Sequence, residues 1–368
     1  MRVLYFTRNY SPHDHRFLTV LADSGHEVGY LPYEAAAAVS GTPDLPPGIL
    51  ALSWPGVKYG WALSHNVRAL RMVLKKFKPD LVHAGPVQKS AFLTALAGFR
   101  PLVTMSWGSD ILLDAQSGFG RRQAGYTLQH SDVFLCDCLA VKERAQDLGM
   151  PEDRIVVFPW GVDLDHFSPA QSSRVRAELG WQNCFVLLST RSMERLYAVD
   201  VTVDAFIRAA GGNVSLRLLL LGDGSERKRL EERLQEEELS DRVFFAGRIG
   251  LEDLPGYYRA ADVYCSSSTC DGSSISLLEA MACGLPALVS DIPGNREWVL
   301  EGENGWLFPV SDPGRMAEAI MTAASAGSTL DRLGENSRHI CEQRADWNRN
   351  NPLLLQAYSK AAGRVNEG

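Results

Sequence analysis

Long apolar runs are missing from this sequence: none approaches the roughly 20 residues that a membrane-spanning helix needs. The segment Met1–Arg8 has too short an apolar core for a secretory signal and no small-residue cleavage site. The 7 cysteines include no Cys-x-x-Cys pair, so neither a zinc site nor a disulfide framework is indicated. These absences predict a cytoplasmic protein with reduced, mostly buried thiols, either soluble or peripheral on the inner face of the membrane.

An excess of positive charge is also missing. Lys and Arg number 37 against 44 Asp and Glu, and the formal net charge of −7 excludes a general nucleic-acid-binding surface. Hydrophobic residues at 45% and charged residues at 22% are ordinary for a globular protein and exclude a disordered or collagen-like chain. A length of 368 residues favours two domains.

Short apolar runs alternate with segments of helical periodicity along the chain. The runs are continuous, as expected of parallel strands covered on both faces, and the alternation predicts an α/β fold. The predicted strands are Val3–Phe6, Val28–Leu31, Leu81–Ala84, Leu102–Met105, Val133–Cys136, Ile155–Phe158, Phe185–Ser189, Leu216–Leu221, Val243–Ala246, Val263–Ser266, Ala287–Ser290 and Trp306–Phe308. The predicted helices include Val67–Phe77, Val199–Ala210, Glu226–Glu238, Arg315–Ala326 and Leu353–Val365.

The strands fall into two series, which predicts two Rossmann-like domains that face a central cleft. Turn and breaker residues at Pro159–Gly161 and Ser168–Pro169 place the boundary between the series. We therefore expect domains at residues 1–165 and 166–350, with a last helix at 351–368 that crosses back onto the first domain. Because open parallel sheets bind ligands at the carboxyl ends of their strands, the chemistry is expected on the loops that follow strands.

The most informative of these loops follows the predicted strand Val263–Ser266. Ser274 or Ser276 can cap a helix that runs to Cys283, and the Gly-Ser-Ser sequence before it exposes backbone N–H groups at the positive helix end, where a diphosphate would bind. Glu279 lies in the first turns of this helix and could accept hydrogen bonds from a sugar or ribose diol. The same pattern also describes an ordinary capped helix with a solvated glutamate.

The wider pattern resembles the family 4 retaining glycosyltransferases of the GT-B fold. Asp271-x7-Glu279, followed by Ala-Met-Ala-Cys-Gly-Leu-Pro, is similar to the Glu-x7-Glu signature of that family. The resemblance covers nearly the whole chain, strongly from residue 155 to 310 and weakly before 100. Further matching segments are Pro159–Pro169, Leu220–Gly224, Val243–Gly247, Leu254–Val263, Ser290–Glu297 and Glu301–Leu307.

This resemblance implies an enzyme that moves a sugar from a nucleotide-diphosphate donor to an acceptor hydroxyl by front-face attack, with retention. The donor, linked to UDP or GDP, is a substrate, and no cofactor is implied. The acceptor would be a glycan, a lipid-linked sugar or a small molecule, in glycan, glycolipid or cell-envelope polysaccharide synthesis. The C-terminal domain would hold the donor and the N-terminal domain the acceptor. No Asp-x-Asp pair stands beside the diphosphate loop, so we expect no metal.

By position in the family pattern, Glu279 would bind the ribose hydroxyls and Asp271 would face the donor sugar. Asp271→Asn is then expected to leave the binding of a free nucleoside diphosphate nearly unchanged. The loop residues Gly272, Ser273, Ser274 and Ile275 would hold the diphosphate, with the N–H groups of the last two cradling it. The base would lie beside Gly247, Arg248 and Ile249.

Cations are needed to stabilise the departing diphosphate. Arg191 matches the arginine of the family's Gly-Arg-Leu-x3-Lys-Gly segment, and its planar fork suits phosphate oxygens. No lysine stands five residues after Arg191. Arg195, the nearest cation, either substitutes for that lysine or pairs with a glutamate at the surface.

Two N-terminal loops depart from the family pattern. Where relatives carry Gly-Gly after the first strand, this chain has a polar loop, in which His13, Asp14 or Arg16 is expected to touch acceptor or phosphate; the alternative is a structural Asp14–Arg16 pair. Adjacent residues of a tight loop seldom converge on one metal ion without further ligands. Where relatives have His-Gly-x-Asp, this chain has Trp107, which can stack on a sugar, and Asp110, which orients the loop or caps a helix.

Two more features of the sequence each have two possible interpretations. His83 matches another family histidine or is a buried strand-end residue. A basic cluster surrounds the apolar stripe of the helix Val67–Phe77 and indicates either contact with an anionic membrane or a solvated helix face. The cluster consists of Arg68, Arg71, Lys75, Lys76 and Lys78.

The departures at Asp271 and Trp107 and the missing lysine leave a second function open. The chain would then be a non-catalytic sugar-nucleotide-binding or partner subunit of the same fold. A third hypothesis is that the chain is another GT-B enzyme, such as a sugar-nucleotide epimerase, because fold alone does not decide function.

Overall fold

The computed structural model describes residues 1–34, 43–57, 63–116, 118–170 and 174–366. Within these ranges the secondary structure consists of short parallel strands separated by helices. The strands are β1 (Arg2–Thr7), β2 (Glu27–Pro32), β3 (Leu50–Ala51), β4 (Leu81–Ala84), β5 (Leu102–Met105), β6 (Val133–Cys136), β7 (Ile155–Val157), β8 (Phe185–Ser189), β9 (Leu216–Leu221), β10 (Val243–Gly247), β11 (Val263–Ser266), β12 (Ala287–Ser290) and β13 (Gly305–Phe308).

The α-helices occupy most of the intervening segments. They are α1 (Pro12–Asp23), α2 (Leu63–Phe77), α3 (Phe92–Ala97), α4 (Ser109–Leu112), α5 (Gly118–Gln129), α6 (Leu139–Asp147), α7 (Arg174–Glu178), α8 (Val199–Ala210), α9 (Arg227–Glu236), α10 (Leu254–Tyr258), α11 (Ile275–Ala282), α12 (Pro293–Arg296), α13 (Pro313–Ala324), α14 (Thr329–Arg344), α15 (Trp347–Asn350) and α16 (Pro352–Asn366). A π-helical turn at Val87–Ala91 leads into α3, and 3-10 turns lie at Glu152–Arg154, Arg195–Tyr197 and Ser240–Arg242.

The chain divides into two units. Unit 1 comprises Met1–Phe158 and Asn350–Gly368, and unit 2 comprises Pro159–Arg349. The division falls before Pro159, whereas the sequence pattern placed it after residue 165. The segment Gly161–Val162 already hydrogen-bonds within unit 2, since the Val162 amide donates to the Ala345 carbonyl at 2.7 Å. An ideal Cβ on Gly161 would lie 2.5 Å from that same carbonyl oxygen, so only glycine fits there.

Each unit contains one parallel sheet with the strand order of a doubly wound fold. The sheet of unit 1 has 7 strands in the order β3-β2-β1-β4-β5-β6-β7, and that of unit 2 has 6 in the order β10-β9-β8-β11-β12-β13. The strand order reverses between β1 and β4 and between β8 and β11, and a reversal point of this kind opens a crevice at the carboxyl edge. The predicted α/β fold with two Rossmann-like domains is confirmed.

Helices pack on both faces of the sheet in unit 2. Phe206 of α8, Leu230 of α9 and Ile320 of α13 share one apolar cluster with inward residues of β8 and β9. Met281 of α11 and Cys341 of α14 belong to the cluster on the opposite face. This double cover explains the continuous apolar strands, because both sets of alternating side chains are buried.

Within the described ranges, no helix combines the length and the apolar content that crossing a bilayer would require.

Candidate functional site

Two loops meet at the strand-order reversal of unit 2. Arg191 follows β8 and Asp271 follows β11, and these two strands are hydrogen-bonded neighbours with Leu187 opposite Val263. The carboxyl ends of adjacent parallel strands point the same way, so the loops that leave them converge. The two residues that the sequence predicts to face diphosphate and donor sugar therefore lie together.

The Arg191 guanidinium is held by three side chains of the second loop. Its Nη2 donates to Asp271 Oδ2 at 2.5 Å, and its Nη1 donates to Ser274 Oγ at 2.7 Å and to Ser276 Oγ at 3.0 Å. The Arg191 side chain is only 10% exposed and that of Asp271 is 21% exposed. The guanidinium carbon lies 4.1 Å from the ring centroid of Tyr197, a cation–π contact.

This environment keeps Arg191 charged and leaves one donor without a partner. Burial lowers the pKa of the guanidinium, but the Asp271 carboxylate beside it raises the pKa, and the net value lies above the ordinary one. The Nε–H is buried and makes no hydrogen bond to any described residue. A buried N–H beside a fixed positive charge favours an anionic acceptor, because an unmade hydrogen bond at such a position costs about 1–3 kcal/mol.

The helix α11 begins at this loop, and among the described residues no side chain at its N-cap position caps it. Ser274 is the residue before the first turn, with φ −64° and ψ 113°, but its side chain makes no capping bond. Ser274 thus occupies the predicted N-cap position, but the capping bond from its side chain is absent, because the hydroxyls of Ser274 and Ser276 both accept from Arg191 instead. The Ser274 side chain therefore does not compete for the first-turn N–H groups, including that of Ile275, which form the positive end of the helix.

The loop before α11 packs tightly against Trp298 and the start of α12. The Trp298 indole N–H donates to Ser273 Oγ at 3.1 Å. An ideal Cβ on Gly294 would lie 2.3 Å from the Gly272 carbonyl oxygen, so the N-terminus of α12 approaches the loop at a distance that only glycine allows. Gly272 and Ser273 are consequently buried parts of a rigid loop.

Glu279 lies one turn further along α11 and is partly exposed. Its Oε2 accepts a hydrogen bond of 2.7 Å from the hydroxyl of Tyr258, the last residue of α10. The hydroxyl of Tyr264 lies 2.8 Å from Ser276 Oγ. Neither Tyr258 nor Tyr264 is among the site residues that the sequence predicts. The one available signal was that both tyrosines lie in the family-like segment Leu254–Val263 or directly after it.

The remaining predicted donor residues lie at the same edge of the sheet. Gly247 ends β10 with φ +71°, and its carbonyl accepts from the Gly222 amide at 2.6 Å. Arg248 is exposed and Ile249 packs on the core. Arg195 is 91% exposed and lies 3.5 Å from Glu226, which corresponds to the surface pairing that the sequence left as the alternative.

A cavity lies at the strand-order reversal of unit 1. It has a volume of about 270 Å³ and brings together four of the five residues predicted for acceptor or cleft, namely His13, Asp14, Trp107 and Asp110. The His13 and Trp107 rings lie 5.8 Å apart, centroid to centroid. Arg16, the fifth, is not among the described residues that line it.

Asp14 is built into the start of α1. Ser11 and Asp14 form a capping box, in which the Ser11 side chain accepts from the Asp14 amide and the Asp14 carboxylate accepts from the Ser11 amide at 2.9 Å. The Tyr5 hydroxyl also donates to Asp14, at 3.2 Å. Asp14 is 1% exposed, and burial raises its pKa to about 6 against the lowering effect of these hydrogen bonds.

Asp110 ties two loops together. Its carboxylate accepts from the Ser106 hydroxyl at 2.6 Å and from the backbone amides of Trp107 at 3.0 Å and Val87 at 2.9 Å. It lies inside α4, whose N-cap is Gly108, so Asp110 is not an N-cap. Of the two interpretations, loop orientation fits the observed contacts.

His83 is a fully buried residue of β4. Its Nδ1 lies 2.7 Å from the hydroxyl of Tyr358 in α16, and burial lowers its pKa to about 3. These contacts are those of a structural strand residue.

All five residues of the basic cluster are exposed on or just after α2. Arg71 also donates to the carbonyls of Leu96 and Ala97 at the end of α3, so it has a structural role as well. Among the described residues, no group of three or more His, Cys, Asp or Glu side chains is arranged to hold a metal ion.

Comparisons with known proteins agree with this architecture. The family model "Glycosyltransferase Family 4" matches residues 13–166, and "Glycosyl transferases group 1" matches residues 173–340. The D-inositol 3-phosphate glycosyltransferase of Pseudarthrobacter chlorophenolicus is 28% identical over 227 residues, 60% of this chain and 54% of that protein. The chain spans about half the length of the curated relatives it matches.

Solved structures show the same fold over the whole chain. Anabaena HepE in complex with UDP and glucose has a TM-score of 0.82 at 21% identity, covering 98% of this chain and 99% of that chain. WaaG, a glycosyltransferase involved in lipopolysaccharide biosynthesis, has a TM-score of 0.78 at 17% identity, covering 100% of both chains. Two parallel Rossmann-like sheets, one in each unit, define the GT-B class. The chain belongs to family 4 of the glycosyltransferases.

Proposed function

We propose that this protein transfers a sugar from a nucleotide-diphosphate donor to an acceptor hydroxyl. The observation that carries the proposal is the position of Arg191, buried at the start of α11 with an Nε–H that has no partner within the described part of the chain. A fixed cation and a helix N-terminus converge there on one anion, as a diphosphate requires. Family membership supports the same reaction class.

The donor is proposed to be linked to UDP or GDP. HepE has been solved with UDP and glucose, which supports a nucleotide sugar as the donor. In this chain Glu279 would accept from the ribose hydroxyls, and Asp271 would face the sugar. The base would lie beside the end of β10, at Gly247, Arg248 and Ile249.

The transfer is proposed to retain the anomeric configuration and to need no metal or cofactor. The acceptor oxygen forms the new bond to the anomeric carbon on the face from which the diphosphate leaves. Its proton passes to a diphosphate oxygen as the old carbon–oxygen bond breaks. Negative charge grows on the leaving group, and Arg191 together with the start of α11 stabilises that charge.

The acceptor is proposed to bind in the cavity of unit 1, against Trp107 and His13. A glycan, a lipid-linked sugar or a small polyol would suit its mixture of polar groups and one indole face. A lipid-linked acceptor would arrive at an anionic membrane surface, to which Arg68, Lys75 and Lys76 could bind from the cytoplasmic side.

A nucleotide panel followed by a turnover assay tests this function. We expect thermal stabilisation of the full chain by UDP or GDP, loss of that stabilisation in Arg191→Ala, and turnover that excess EDTA leaves intact. Stabilisation without transfer to any acceptor would favour a binding subunit. No stabilisation by either diphosphate would overturn the proposal, and loss of turnover in EDTA that Mg²⁺ restores would overturn metal independence.

A further inference from the structure

The Tyr258 hydroxyl forms a branched contact beside the proposed ribose site. It lies 2.7 Å from Glu279 Oε2 and 3.2 Å from the Ser276 carbonyl oxygen, and 3.3 Å from Thr190 Oγ1. A phenol has a single proton to donate, and both the carboxylate and the carbonyl are acceptors. The shorter contact to the charged acceptor identifies Glu279 as the main recipient of that proton.

Tyr258 itself is enclosed by the protein. It is fully buried, and its ring contacts Phe167 edge-on with the centroids 5.9 Å apart. Burial and the Glu279 carboxylate raise the pKa of the phenol well above its ordinary value, so it remains a donor throughout the neutral range. Thr190 Oγ1 can donate to the lone pairs of the phenol, which sets the direction of the phenol O–H.

We propose that Tyr258 is the positioning residue that aims the Glu279 carboxylate at the ribose hydroxyls and so makes this site selective for ribonucleotides. The inference rests on the proposed donor site. A glutamate on a helix surface has several rotamers of similar energy, and the 2.7 Å bond selects one of them. A carboxylate accepts about four hydrogen bonds, so accepting from Tyr258 is compatible with accepting from a diol as well.

Loss of the Tyr258–Glu279 bond should weaken nucleotide binding and leave the rate of the chemical step nearly unchanged. A ribose contact is present in both the ground state and the transition state, and losing it raises KM while kcat stays nearly constant. A site built to accept from a hydroxyl also rejects the analogue that lacks it. Loss of ribose discrimination is therefore the specific signature of a misaimed Glu279.

The experiment compares dissociation constants of UDP with its 2′-deoxy and 3′-deoxy forms by calorimetry, with GDP and its deoxy forms run in parallel. Wild type is expected to prefer the ribonucleotide by about 10- to 100-fold at one hydroxyl. In Tyr258→Phe the ribonucleotide binds about tenfold more weakly while the deoxy form is nearly unaffected, so the preference falls toward that of Glu279→Gln. Adding Glu279→Gln to Tyr258→Phe is expected to cause little further loss.

Tyr264→Phe is the matched control. Tyr264 is as fully buried as Tyr258, but its hydroxyl contacts Ser276 Oγ, so any weakening should be equal for ribo and deoxy ligands. Thr190→Val is a milder second test, expected to lower the preference by about two- to threefold through the phenol. Should Tyr258→Phe prove unfolded, Thr190→Val alone decides.

The outcomes separate the two proposals. If wild type binds neither UDP nor GDP, the proposed function fails, and this inference fails with it. If wild type discriminates and both Tyr258→Phe and Thr190→Val keep its full preference, Tyr258 is merely structural and only this inference is overturned.

Discussion

Arg191 and Asp271 form an ion pair between the ends of two neighbouring strands, with Nη2 2.5 Å from Oδ2 although 80 residues separate them. The carboxylate occupies one edge of the cation that the proposed diphosphate would use. Asp271 is thus a competitor for Arg191 as well as a candidate contact of the donor sugar. An incoming diphosphate has to share or displace this pair.

Asp271→Asn is therefore expected to bind a free nucleoside diphosphate more tightly, by several-fold to about tenfold, because a buried guanidinium without its counter-ion favours an anionic ligand. This outcome differs from the sequence-based expectation of unchanged affinity. The same change should lower the free energy of unfolding, by up to about 3–5 kcal/mol, because it leaves a buried charge unpaired. Calorimetry with UDP and GDP and chemical denaturation measure both effects.

Asp291→Asn is the matched control for that prediction. It opens an ion pair with Arg296, whose side chain is 59% exposed, and should change neither quantity appreciably. Equal or weaker diphosphate binding in Asp271→Asn would show that the two anions do not compete.

Arg191→Lys should lower kcat strongly, by about 10²–10³-fold, as does removal of one donor that stabilises developing charge. A lysine keeps the positive charge but cannot serve Asp271, Ser274, Ser276 and a phosphate at once, since it lacks the planar fork. Arg174→Ala, at a side chain that is 91% exposed, is the control and should retain wild-type kinetics. Steady-state kinetics at saturating acceptor would settle the point, and wild-type kcat in Arg191→Lys would exclude a role for the fork.

The buried carboxyl of Asp14 should make stability fall as pH rises. Its folded-state pKa of about 6 lies above the ordinary aspartate value of 3.8, so between these values the folded state binds more protons than the unfolded state. Its contribution is fully present below about pH 4 and is lost as pH rises through 6, amounting to about 3 kcal/mol at most. Asp14→Asn should remove this part of the slope.

Denaturation of wild type and Asp14→Asn at pH 5 and pH 7.5 measures the difference. Asp23→Asn, an exposed residue at the end of the same helix, should reproduce the wild-type slope. Parallel pH profiles of wild type and Asp14→Asn would mean that this carboxyl does not titrate in the folded protein between these pH values.

Replacing Arg68, Lys75 and Lys76 by glutamine should lower the affinity for anionic vesicles by about 100-fold, because each cation near the membrane surface contributes about 1 kcal/mol to binding. Co-sedimentation with the vesicles measures this affinity. Arg71 is left in place because it bonds the end of α3. Neutral vesicles should bind neither form.

A matched triple variant in unit 2 controls for net charge. Arg174, Lys228 and Arg332 are all exposed, and their replacement by glutamine removes the same charge elsewhere. If both triple variants bind anionic vesicles like wild type, the cluster on α2 is a solvated face.

The sequence was sufficient for the strands because their signal is local. Runs such as Val263–Ser266 and Ala287–Ser290 are apolar up to a final serine and buried throughout, so prediction and structure agree at both ends. Strand β3 was missed because it has two exposed residues and no pattern to detect. Helix α14 was missed because its buried face is made of Leu333, Gly334, Ser337 and Cys341, which give weak hydrophobic periodicity.

Gly334 explains how such a face can pack. An ideal Cβ at this position would lie 2.1 Å from the Gly284 carbonyl oxygen, so close approach of the backbones takes the place of large side chains. The side-chain contacts of the site could not be predicted from the sequence either, because they too join segments that are distant along the chain. The sequence motifs identify Arg191, Asp271 and Glu279 as candidates. That Arg191 pairs with Asp271 and Glu279 with Tyr258 depends on how the strands are ordered in the sheet, which no motif shows.

The return of the chain to unit 1 has a consequence for biosynthesis. Unit 1 includes Asn350–Gly368, and the His83 imidazole at its centre pairs with Tyr358 at 2.7 Å. A ribosome releases all of unit 2 before it releases α16, so the first 158 residues must wait with an incomplete core and a buried imidazole lacking its partner. In this topology the N-terminal unit cannot complete its fold before the rest of the chain has been synthesised, although N-terminal domains generally fold first. A nascent chain arrested before residue 350 should therefore be protease-sensitive in its first half.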